Sequence, residues 1–424
     1  MQEQETQATR VWVLHPDIKS SKTRRDPDDA LEEGCALARA MPNFEVVGSE
    51  VVPLSKMRAG YLFGSGKINE IGERIHDQNV ELVLVDGPLT PVQQRNLEKA
   101  WNVKILDRTG LILEIFSDRA RTREGVLQVE MAALSYQRTR LVRAWTHLER
   151  QRGGLGFVGG PGETQIEADR RAIDDAIGRI KKQLEKVAKT RALHRESRKK
   201  VPYPIVALVG YTNAGKSTLF NRLTGAEVFA KDMLFATLDP TMRSLTLPDE
   251  TDIILSDTVG FISDLPHHLV AAFRATLEEV LDADLIVHVR DISHPLRDSQ
   301  SEDVAAILAQ LGVDDDTPQL EVWNKIDQLS PQMREGLEEA ARHRDNVIMM
   351  SAQTGEGYDG FVQAVSASLV EPRIEEDLLI PYAAGRQRAW LFEEGLIKSE
   401  DPTDAGFKIR VLWNAREKER FWSL

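Results

Sequence analysis

Residues 210–217 combine glycine, lysine and serine at a spacing suited to binding phosphate. They read GYTNAGKS and fit the pattern G-x-x-x-x-G-K-S. Glycines let backbone N–H groups cradle phosphates, so we predict that Lys216 reaches the β- and γ-phosphates and that the Ser217 hydroxyl binds Mg²⁺. An apolar run before the loop predicts a strand, and TLFNRL after it predicts a helix that ends at Gly225. The flanking elements are those that a phosphate-binding loop needs.

Two further segments would complete a triphosphate site. IILSDTVG ends a predicted strand at Asp257, which would hold Mg²⁺ largely through water, and Gly260 can bring its N–H to the γ-phosphate. In FATLDPT, Thr237 is the candidate switch hydroxyl that closes on Mg²⁺ when the γ-phosphate is present, and Thr241 is a weaker candidate. The predicted metal ligands are therefore Ser217 and Thr237.

The base specificity is predicted from two short segments that follow apolar runs. In NKID, residues 324–327, Asp327 can accept two hydrogen bonds from guanine, and Lys325 can lay its stem over the base. Adenine lacks that pair of donors and would leave a buried carboxylate unpaired. SAQ, residues 351–353, would place backbone groups near the guanine oxygen. The order of these motifs predicts a GTPase that forms GDP and phosphate, and it favours GTP over ATP as the ligand of this site.

The predicted site can be stated residue by residue. The nucleotide-binding residues are Gly210, Tyr211, Thr212, Asn213, Ala214, Gly215, Lys216, Ser217, Phe235, Ala236, Thr237, Leu238, Asp239, Asp257, Thr258, Val259, Gly260, Asn324, Lys325, Ile326, Asp327, Ser351, Ala352 and Gln353. Catalytic roles are assigned to Lys216, Thr237, Gly260 and Asn213.

One position of the predicted site lacks the usual catalytic group. Ras-like enzymes place a glutamine after the glycine of this motif to orient the attacking water, whereas this chain has Phe261. We therefore expect slow intrinsic turnover that a partner accelerates. Loops of the form GxxNxGKS resemble those of GTPases that bind K⁺ beside the phosphates, so Asn213 is a candidate for holding an activating K⁺. The alternative is that Asn213 only caps the turn.

Composition indicates a water-soluble, intracellular chain. Its 424 residues are 42% hydrophobic and 29% charged, and we find no apolar run long enough to span a bilayer. Cys35 is the only cysteine, so no internal disulfide can form and a reducing cytoplasm is expected. The chain is expected to act as a monomer, and any membrane association would be peripheral.

Hydrophobic periodicity predicts an α/β protein of four parts. Strand-like and helical runs alternate over residues 1–120, which predicts a parallel α/β domain. Residues 121–200 predict a basic helical hairpin with a glycine-rich loop at 153–162, in which the second helix begins near residue 166. A Ras-like P-loop domain is expected over residues 201–370. Residues 371–424 begin with a linker and then suggest a small β-α-β-like set.

The motifs together resemble the HflX family, in the Obg–HflX branch of P-loop GTPases. Besides the nucleotide motifs, the similarity includes GGLGFVGGPGETQIEADRR at 153–171 and YLFGSGKINEI at 61–71. The resemblance implies a bacterial cytoplasmic GTPase that binds the large ribosomal subunit, which stimulates its GTP hydrolysis. It also implies a role in splitting or rescuing stalled ribosomes under stress such as heat, with binding through the amino-terminal domain and the helical linker.

The charge distribution is compatible with a contact to rRNA. Residues 121–200 contain 19 Lys and Arg against 10 Asp and Glu, a net charge of +9, although the whole chain carries −13. Basic helices can contact several phosphates, and an aromatic side chain in a flexible loop can stack on a base. The candidate contacts are Arg138, Arg140, Arg143, Gly153, Gly154, Phe157, Arg170, Arg171, Lys181 and Lys182. The alternative is an ordinary solvated helical face.

Two different functions and a second phosphate site remain compatible with these residues. A GTP-regulated protein that binds or remodels free RNA would use the same basic segment, and a GTP-dependent adaptor would recruit another protein instead. GSGK, residues 64–67, could bind phosphate, for example that of ATP, in the amino-terminal domain. It lacks the P-loop spacing, which favours an ordinary turn.

Overall fold

The structure is a computed structural model that describes residues 8–19, 25–151, 161–198, 203–225, 234–235, 237–238, 241–263, 280–313, 317–369 and 374–422. The chain forms two compact units, Met1–Phe361 and Val362–Leu424. Five candidate site residues lie outside the described residues, namely Gly153, Gly154, Phe157, Ala236 and Asp239, and so does the side chain of Arg143.

The first unit begins with a four-stranded parallel sheet in the order β2-β1-β3-β4. The strands are β1 (Thr9–Ile18), β2 (Phe44–Leu54), β3 (Leu82–Val85) and β4 (Lys104–Asp107). They alternate with helices α1 (Pro27–Arg39), α2 (Ser65–Asp77) and α3 (Pro91–Trp101). Asp26 caps α1 by accepting the N–H groups of Asp28 and Asp29, which would otherwise lack partners. Strands and helices therefore alternate as the sequence predicts.

A fourth helix, α4 (Arg108–Arg119), directly follows β4, where the sequence predicted none. The side chain of Asp107 caps it by accepting the N–H of Gly110 at 2.8 Å. Its apolar residues Leu111–Leu113, Ile115 and Phe116 are all buried. A helix that is apolar around most of its circumference shows no amphipathic period, which is why the pattern did not reveal it.

Two long helices follow, α5 (Arg123–Gln151) and α6 (Pro161–Arg198), and they pack against each other. Arg138 of α5 forms an ion pair with Asp174 of α6 at 2.7 Å. The predicted start of the second helix near residue 166 was wrong, because α6 already begins at Pro161. Proline is favourable in the first turn of a helix, since its missing N–H would have no partner there.

A six-stranded sheet in the order β10-β9-β8-β5-β7-β6 completes the first unit. Its strands are β5 (Ile205–Val209), β6 (Thr241–Thr246), β7 (Asp252–Asp257), β8 (Leu285–Asp291), β9 (Gln319–Asn324) and β10 (Val347–Met349). Its helices are α7 (Lys216–Thr224), α8 (Arg297–Leu311), the 3₁₀ turn Ile326–Gln328, α9 (Pro331–Arg342) and α10 (Tyr358–Leu369), which extends into the second unit. All pairs are parallel except β6 with β7. The loop after the central strand β5 therefore opens at the carboxyl edge, where ligands of such sheets bind.

The second unit holds an antiparallel sheet in the order β11-β13-β12. The strands are β11 (Ile374–Ile380), β12 (Ile397–Thr403) and β13 (Gly406–Trp413), and the helices are α11 (Gly385–Glu393) and α12 (Ala415–Trp422). The predicted β-α-β set missed β12 and α12, and residues predicted as linker belong to β11. The sequence of β12 is polar and contains Pro402, which edge strands tolerate but which hides the strand pattern.

The predicted fold class is confirmed: an amino-terminal parallel α/β domain, a basic helical linker, a Ras-like P-loop domain and a small carboxyl-terminal α/β domain. Among the described residues, no helix has the length and apolarity needed to cross a membrane.

Candidate active site

The loop between β5 and α7 has a backbone that only glycine permits at two positions. Gly210 has φ +149° and Gly215 has φ +97°. A Cβ at Gly210 would collide with the carbonyl oxygen of Val289, and one at Gly215 would collide with the side-chain amide of Asn324. The loop is therefore pressed against the neighbouring strand ends, with the N-terminus of α7 directly behind it.

Lys216 is folded back over this loop. Its ammonium group donates to the carbonyl oxygens of Gly210 at 3.1 Å and Tyr211 at 2.8 Å, and the residue is buried. Burial lowers the pKa of Lys216 to about 8, although the charge of Asp257 acts in the opposite direction. A cation that is deprived of water and lacks a directly bound carboxylate is well placed to bind an anion such as phosphate.

Three oxygen-bearing side chains converge beside Lys216. Ser217 donates to the Asp257 carboxylate at 2.7 Å, and Thr237 donates to the same oxygen at 2.9 Å. The two hydroxyl oxygens lie 2.8 Å apart. Of the two threonines considered from the sequence, Thr237 is the one whose hydroxyl contacts these groups in the described part of the chain.

This cluster fits a hard divalent cation. Asp257 is fully buried, and its second carboxylate oxygen has no hydrogen-bond partner among the described residues. Burial raises the pKa of Asp257, and the charge of Lys216 and the two hydroxyl donors only partly offset this effect. Carboxylate and hydroxyl oxygens are ligands that Mg²⁺ prefers. A bound cation would satisfy the free oxygen and stabilise the ionised carboxylate.

The segment after Asp257 runs along the glycine loop. Phe261 and Tyr211 form a β-bridge, in which Phe261 donates its N–H to Gly210 at 3.1 Å and accepts the N–H of Thr212 at 2.7 Å. A Cβ at Gly260 would lie 2.8 Å from the Thr212 Cα and 3.1 Å from the Lys216 ammonium. Glycine at residue 260 therefore allows the two loops to approach closely. The Thr212 hydroxyl is also buried without a partner among the described residues.

Asn324 links the glycine loop to the third predicted segment. Its side-chain amide donates to the carbonyl of Ala214 at 2.8 Å, and its amide oxygen accepts the N–H of Ala352 at 2.8 Å. Arg222 of α7 donates to the carbonyls of Ala352 and Gln353, each at 2.7 Å. The segments containing GYTNAGKS, NKID and SAQ are thus held together, and Arg222 is a contributor that sequence reasoning missed.

The two charged residues predicted to contact the base differ in exposure, because Lys325 is partly buried and Asp327 is exposed. Lys325 has φ +65° and pairs with Asp291, the last residue of β8, at 2.7 Å. Asp327 is exposed in the 3₁₀ turn, so the predicted discrimination against adenine requires that a bound base cover this carboxylate. The position of Asp291 at the end of an apolar strand was the signal that could have identified it as the partner of Lys325.

Two predicted nucleotide-binding residues direct their side chains elsewhere. The hydroxyl of Tyr211 bonds to Glu33 of α1 and to Ser263. The ring of Phe235 packs edge-on against Phe116 of α4, with ring centroids 4.7 Å apart. Both side chains therefore contact the amino-terminal domain, and that of Tyr211 also contacts Ser263, three residues after Gly260. The other described members of these segments, Leu238, Thr258, Val259, Ile326 and Ser351, are buried.

The basic residues predicted to contact RNA differ in their exposure and in whether they already form ion pairs with carboxylates of the chain. Arg140 binds Asp107 at the end of β4, and its guanidinium also lies 4.5 Å from the ring centroid of Tyr136. Arg170 and Arg171 are exposed and lie 3.9 Å and 3.8 Å from carboxylates of their own helix. Lys181 and Lys182 are exposed, and no ion pair is recorded for either within the described residues. The geometry therefore favours these lysines over Arg140 as contacts for a polyanion.

Comparisons with known proteins agree with this site. Three family models match the chain: "GTP-binding GTPase N-terminal" over residues 28–117, "GTP-binding GTPase Middle Region" over 119–198, and "50S ribosome-binding GTPase" over 205–325. A GTPase HflX of Magnetococcus marinus is 50% identical over 370 residues, which cover 87% of this chain and 84% of that protein. The chain belongs to the HflX family of GTPases.

Further comparisons agree with this assignment. GTPase HflX of Escherichia coli is 46% identical over 84% of this chain and 82% of its own length. A putative GTP-binding protein 6 of Xenopus laevis is 35% identical over 96% of this chain and 77% of its length. The crystal structure of SsGBP with GDP covers 85% of this chain and 98% of its own, with 23% identity and a TM-score of 0.50, which shows a shared fold. The chain binds guanine nucleotide and hydrolyses GTP.

Proposed function

We propose that this GTPase binds the large ribosomal subunit, which accelerates its GTP hydrolysis, and that it splits or rescues stalled ribosomes under stress such as heat. The match to a 50S ribosome-binding GTPase model supports the partner. The observation that carries the proposal is the buried Phe261 at the position where a water-orienting glutamine would stand.

Phe261 explains why a partner is needed. The side chain is 2% exposed, and its backbone is bonded on both sides to the glycine loop. It has no polar group that could orient water, and its ring is part of the hydrophobic core. Phosphoryl transfer depends on positioning and electrostatic stabilisation, so a site without this contribution turns over slowly until another surface completes it.

The chain's own residues prepare the substrate in a defined way. Lys216 neutralises the β- and γ-phosphate oxygens, and the N–H of Gly260 donates to the γ-phosphate. Ser217 and Thr237 would hold Mg²⁺ directly, and Asp257 would do so largely through water. Bound Mg²⁺ neutralises charge that develops on the phosphate oxygens. Asp327, Lys325 and the SAQ segment hold the guanine. When the γ-phosphate is lost, Thr237 and Gly260 are released from it. The conformation that binds the ribosome is then no longer favoured, and the protein dissociates.

Asn213 would hold K⁺ beside the phosphates. It has φ +61°, a conformation that asparagine tolerates better than most residues, and its side chain is exposed. Its amide makes no recorded hydrogen bond within the described residues, so the backbone requirement of the turn and a ligand role are compatible. K⁺ at this point would supply positive charge that the chain otherwise provides through Lys216.

The exposed lysines of α6 are the proposed ribosome contacts that the structure describes best. Most described side chains of α6 between residues 167 and 189 are exposed. Replacing Lys181 and Lys182 by glutamine should reduce co-sedimentation with large subunits and flatten its salt dependence, because fewer counterions are released. A matched control replaces two exposed lysines of the second unit, Lys398 and Lys408, which changes the net charge equally. Equal loss for both pairs would exclude a local contact.

The decisive experiment is single-turnover GTP hydrolysis titrated with purified large subunits. We expect the rate to rise by at least about tenfold and to saturate, a modest fraction of what partner-supplied groups achieve in other GTPases. Small subunits and naked rRNA serve as controls. Stimulation by naked RNA alone would instead support an RNA-remodelling protein. Rates that are fast without any partner, or unchanged by every addition, would contradict the proposal.

A further inference from the structure

A buried network of charged and polar groups joins the amino-terminal domain to both nucleotide-contacting loops. Arg108, the first residue of α4, is 4% exposed. Its guanidinium donates to Asp86 at 2.6 Å, to Glu33 at 2.7 Å and to the carbonyl oxygen of Ser263 at 3.0 Å. Two of these acceptors belong to the amino-terminal domain, and the third lies three residues after Gly260.

Ser263 is held at every polar atom of the residue. Its N–H donates to the hydroxyl of Tyr211 at 2.8 Å, and its carbonyl accepts from Arg108. Its hydroxyl accepts from Arg25 at 2.9 Å and also contacts Tyr211 and Glu33. Ser263 can therefore move only if some of these hydrogen bonds break.

Tyr211 provides the link to the glycine loop. It is the second residue of GYTNAGKS, and its hydroxyl donates to the carboxylate of Glu33. Glu33 also pairs with Arg25 at 2.6 Å. Burial by itself raises the pKa of Glu33, but the charges of Arg108 and Arg25 outweigh it, so that the pKa lies below its ordinary value. The carboxylate therefore stays ionised and the network stays charge-balanced.

We propose that Arg108 is a positioning residue for GTP hydrolysis, which sets the location of the Gly260 N–H by clamping Ser263 and, through Glu33, Tyr211. The proposal rests on the proposed function of Gly260. Because Tyr211 and Phe261 also form a β-bridge, the loops at 210–212 and 260–263 move together with α1 and α4. A change in the amino-terminal domain on binding its partner would be transmitted to Gly260 by these bonds.

The test compares GTP and GDP, since only GTP has the γ-phosphate that Gly260 would contact. In Arg108→Gln, we expect affinity for a non-hydrolysable GTP analogue and the hydrolysis rate each to fall by about tenfold, the loss expected for a buried charged hydrogen bond, while GDP affinity falls by a smaller factor because GDP lacks the γ-phosphate. Arg108→Lys keeps the charge but loses the forked geometry and should be intermediate. The control is Arg119→Gln, a partly buried arginine of the same helix whose guanidinium donates to Ala40 inside the amino-terminal domain.

A second variant guards against misfolding of the Arg108 variants. Tyr211→Phe removes only the hydroxyl that joins Glu33 to Ser263 and should show the same selective loss for the GTP analogue. Combined with Arg108→Gln, it should add less than the two single effects, because both act on one network. Equal losses for GDP and the GTP analogue, or a lower melting temperature with unchanged binding and rate, would overturn the proposal. A wild-type protein that does not prefer GTP over ATP would instead refute the function on which it rests.

Discussion

The four-stranded parallel sheet and the mostly parallel six-stranded sheet of the first unit both carry buried aspartates at their carboxyl edges, but these carboxylates differ in their hydrogen bonding. At the edge of the six-stranded sheet, one oxygen of Asp257 and the hydroxyl of Thr212 are buried without partners in the described chain. At the edge of the four-stranded sheet, Asp86, Asp107 and Arg108 are also buried, but both carboxylates are paired with arginines.

The difference separates a ligand site from an interface. Buried polar atoms are nearly always satisfied in folded proteins, so unsatisfied oxygens beside a glycine loop indicate a group that binds there. At the other edge, Asp86 and Asp107 each accept hydrogen bonds at both carboxylate oxygens, and the network includes Ser263 from the other domain. The atoms that lack a partner there among the described residues are donors, the Nε atoms of Arg108 and Arg140. Position at a sheet edge alone therefore does not identify a binding site. The distinguishing feature is a buried oxygen without a hydrogen-bond partner among the described residues, which is found beside the glycine loop.

The strongest test of this comparison replaces, one at a time, two lysines that follow glycine-containing segments, one at each sheet edge. We expect Lys216→Ala to lower GTP hydrolysis by about a thousandfold, because the variant removes the positive charge that neutralises the phosphates in a water-poor site. Lys67→Ala, in GSGK, should leave nucleotide binding unchanged, because this lysine already pairs with Glu50 and Glu70 at the start of α2. Hydrolysis rates and nucleotide affinity of both variants are the measurement. Loss of ATP or GTP binding in Lys67→Ala would show that the amino-terminal edge also binds phosphate.

A second test removes one carboxylate from each edge. Asp257→Asn should lower hydrolysis by about a hundredfold with little loss of stability, because the native carboxylate is costly to bury and lacks a partner on one oxygen. Asp86→Asn should mainly lower the free energy of unfolding, by about 3 kcal/mol, because it removes one of the two carboxylates that pair with the buried guanidinium of Arg108. Urea unfolding and hydrolysis assays measure the two effects. The comparison fails if both variants lose activity and stability in the same proportion.

The residues at the edge of the six-stranded sheet could be predicted from the sequence, whereas the ion pairs at the edge of the four-stranded sheet could not. Glycine, lysine and aspartate motifs specify local backbone geometry, so residues 210–217 and 257–260 could be placed at strand ends from spacing alone. The partners of Arg108 come from residues 33, 86 and 263, and no local pattern links them. Arg140 was predicted to contact RNA because its charge is visible in the sequence, whereas its bond to Asp107 depends on how α5 packs beside β4. Tertiary ion pairs of this kind lie beyond motif reasoning.

The two carboxylates should also respond to pH with opposite sign. Burial raises the pKa of Asp86, but Arg108 and His15 outweigh this effect and lower it from 3.8 to about 2. Between these values the unfolded chain binds more protons, so about 2 kcal/mol of stability is present above pH 4 and is lost as the pH falls to 2. Burial raises the pKa of Asp257. The ionised carboxylate therefore destabilises the folded protein at any pH above its pKa in the unfolded chain, and acidification removes this destabilisation.

Unfolding free energies measured from pH 5 downward can separate these contributions. Asp86→Asn should lose less stability on acidification than the wild-type protein, and Asp257→Asn should lose more. Identical pH profiles for all three proteins would contradict the assigned charge states of both edges.

The smallest expected effect concerns the exposed asparagine of the glycine loop, at the edge of the six-stranded sheet. If Asn213 holds K⁺, hydrolysis should be several-fold faster in K⁺ than in Na⁺ at equal ionic strength, because a bound cation adds charge stabilisation to that of Lys216. Asn213→Gly keeps the positive φ of the turn while removing the amide, so it should abolish the difference between the two salts without reducing the rate in Na⁺. Equal wild-type rates in both salts would leave the asparagine as a turn residue. A K⁺ effect that persists in Asn213→Gly would place the cation on other ligands of the loop. The Thr212 hydroxyl, which has no partner among the described residues, would then be the next group to remove.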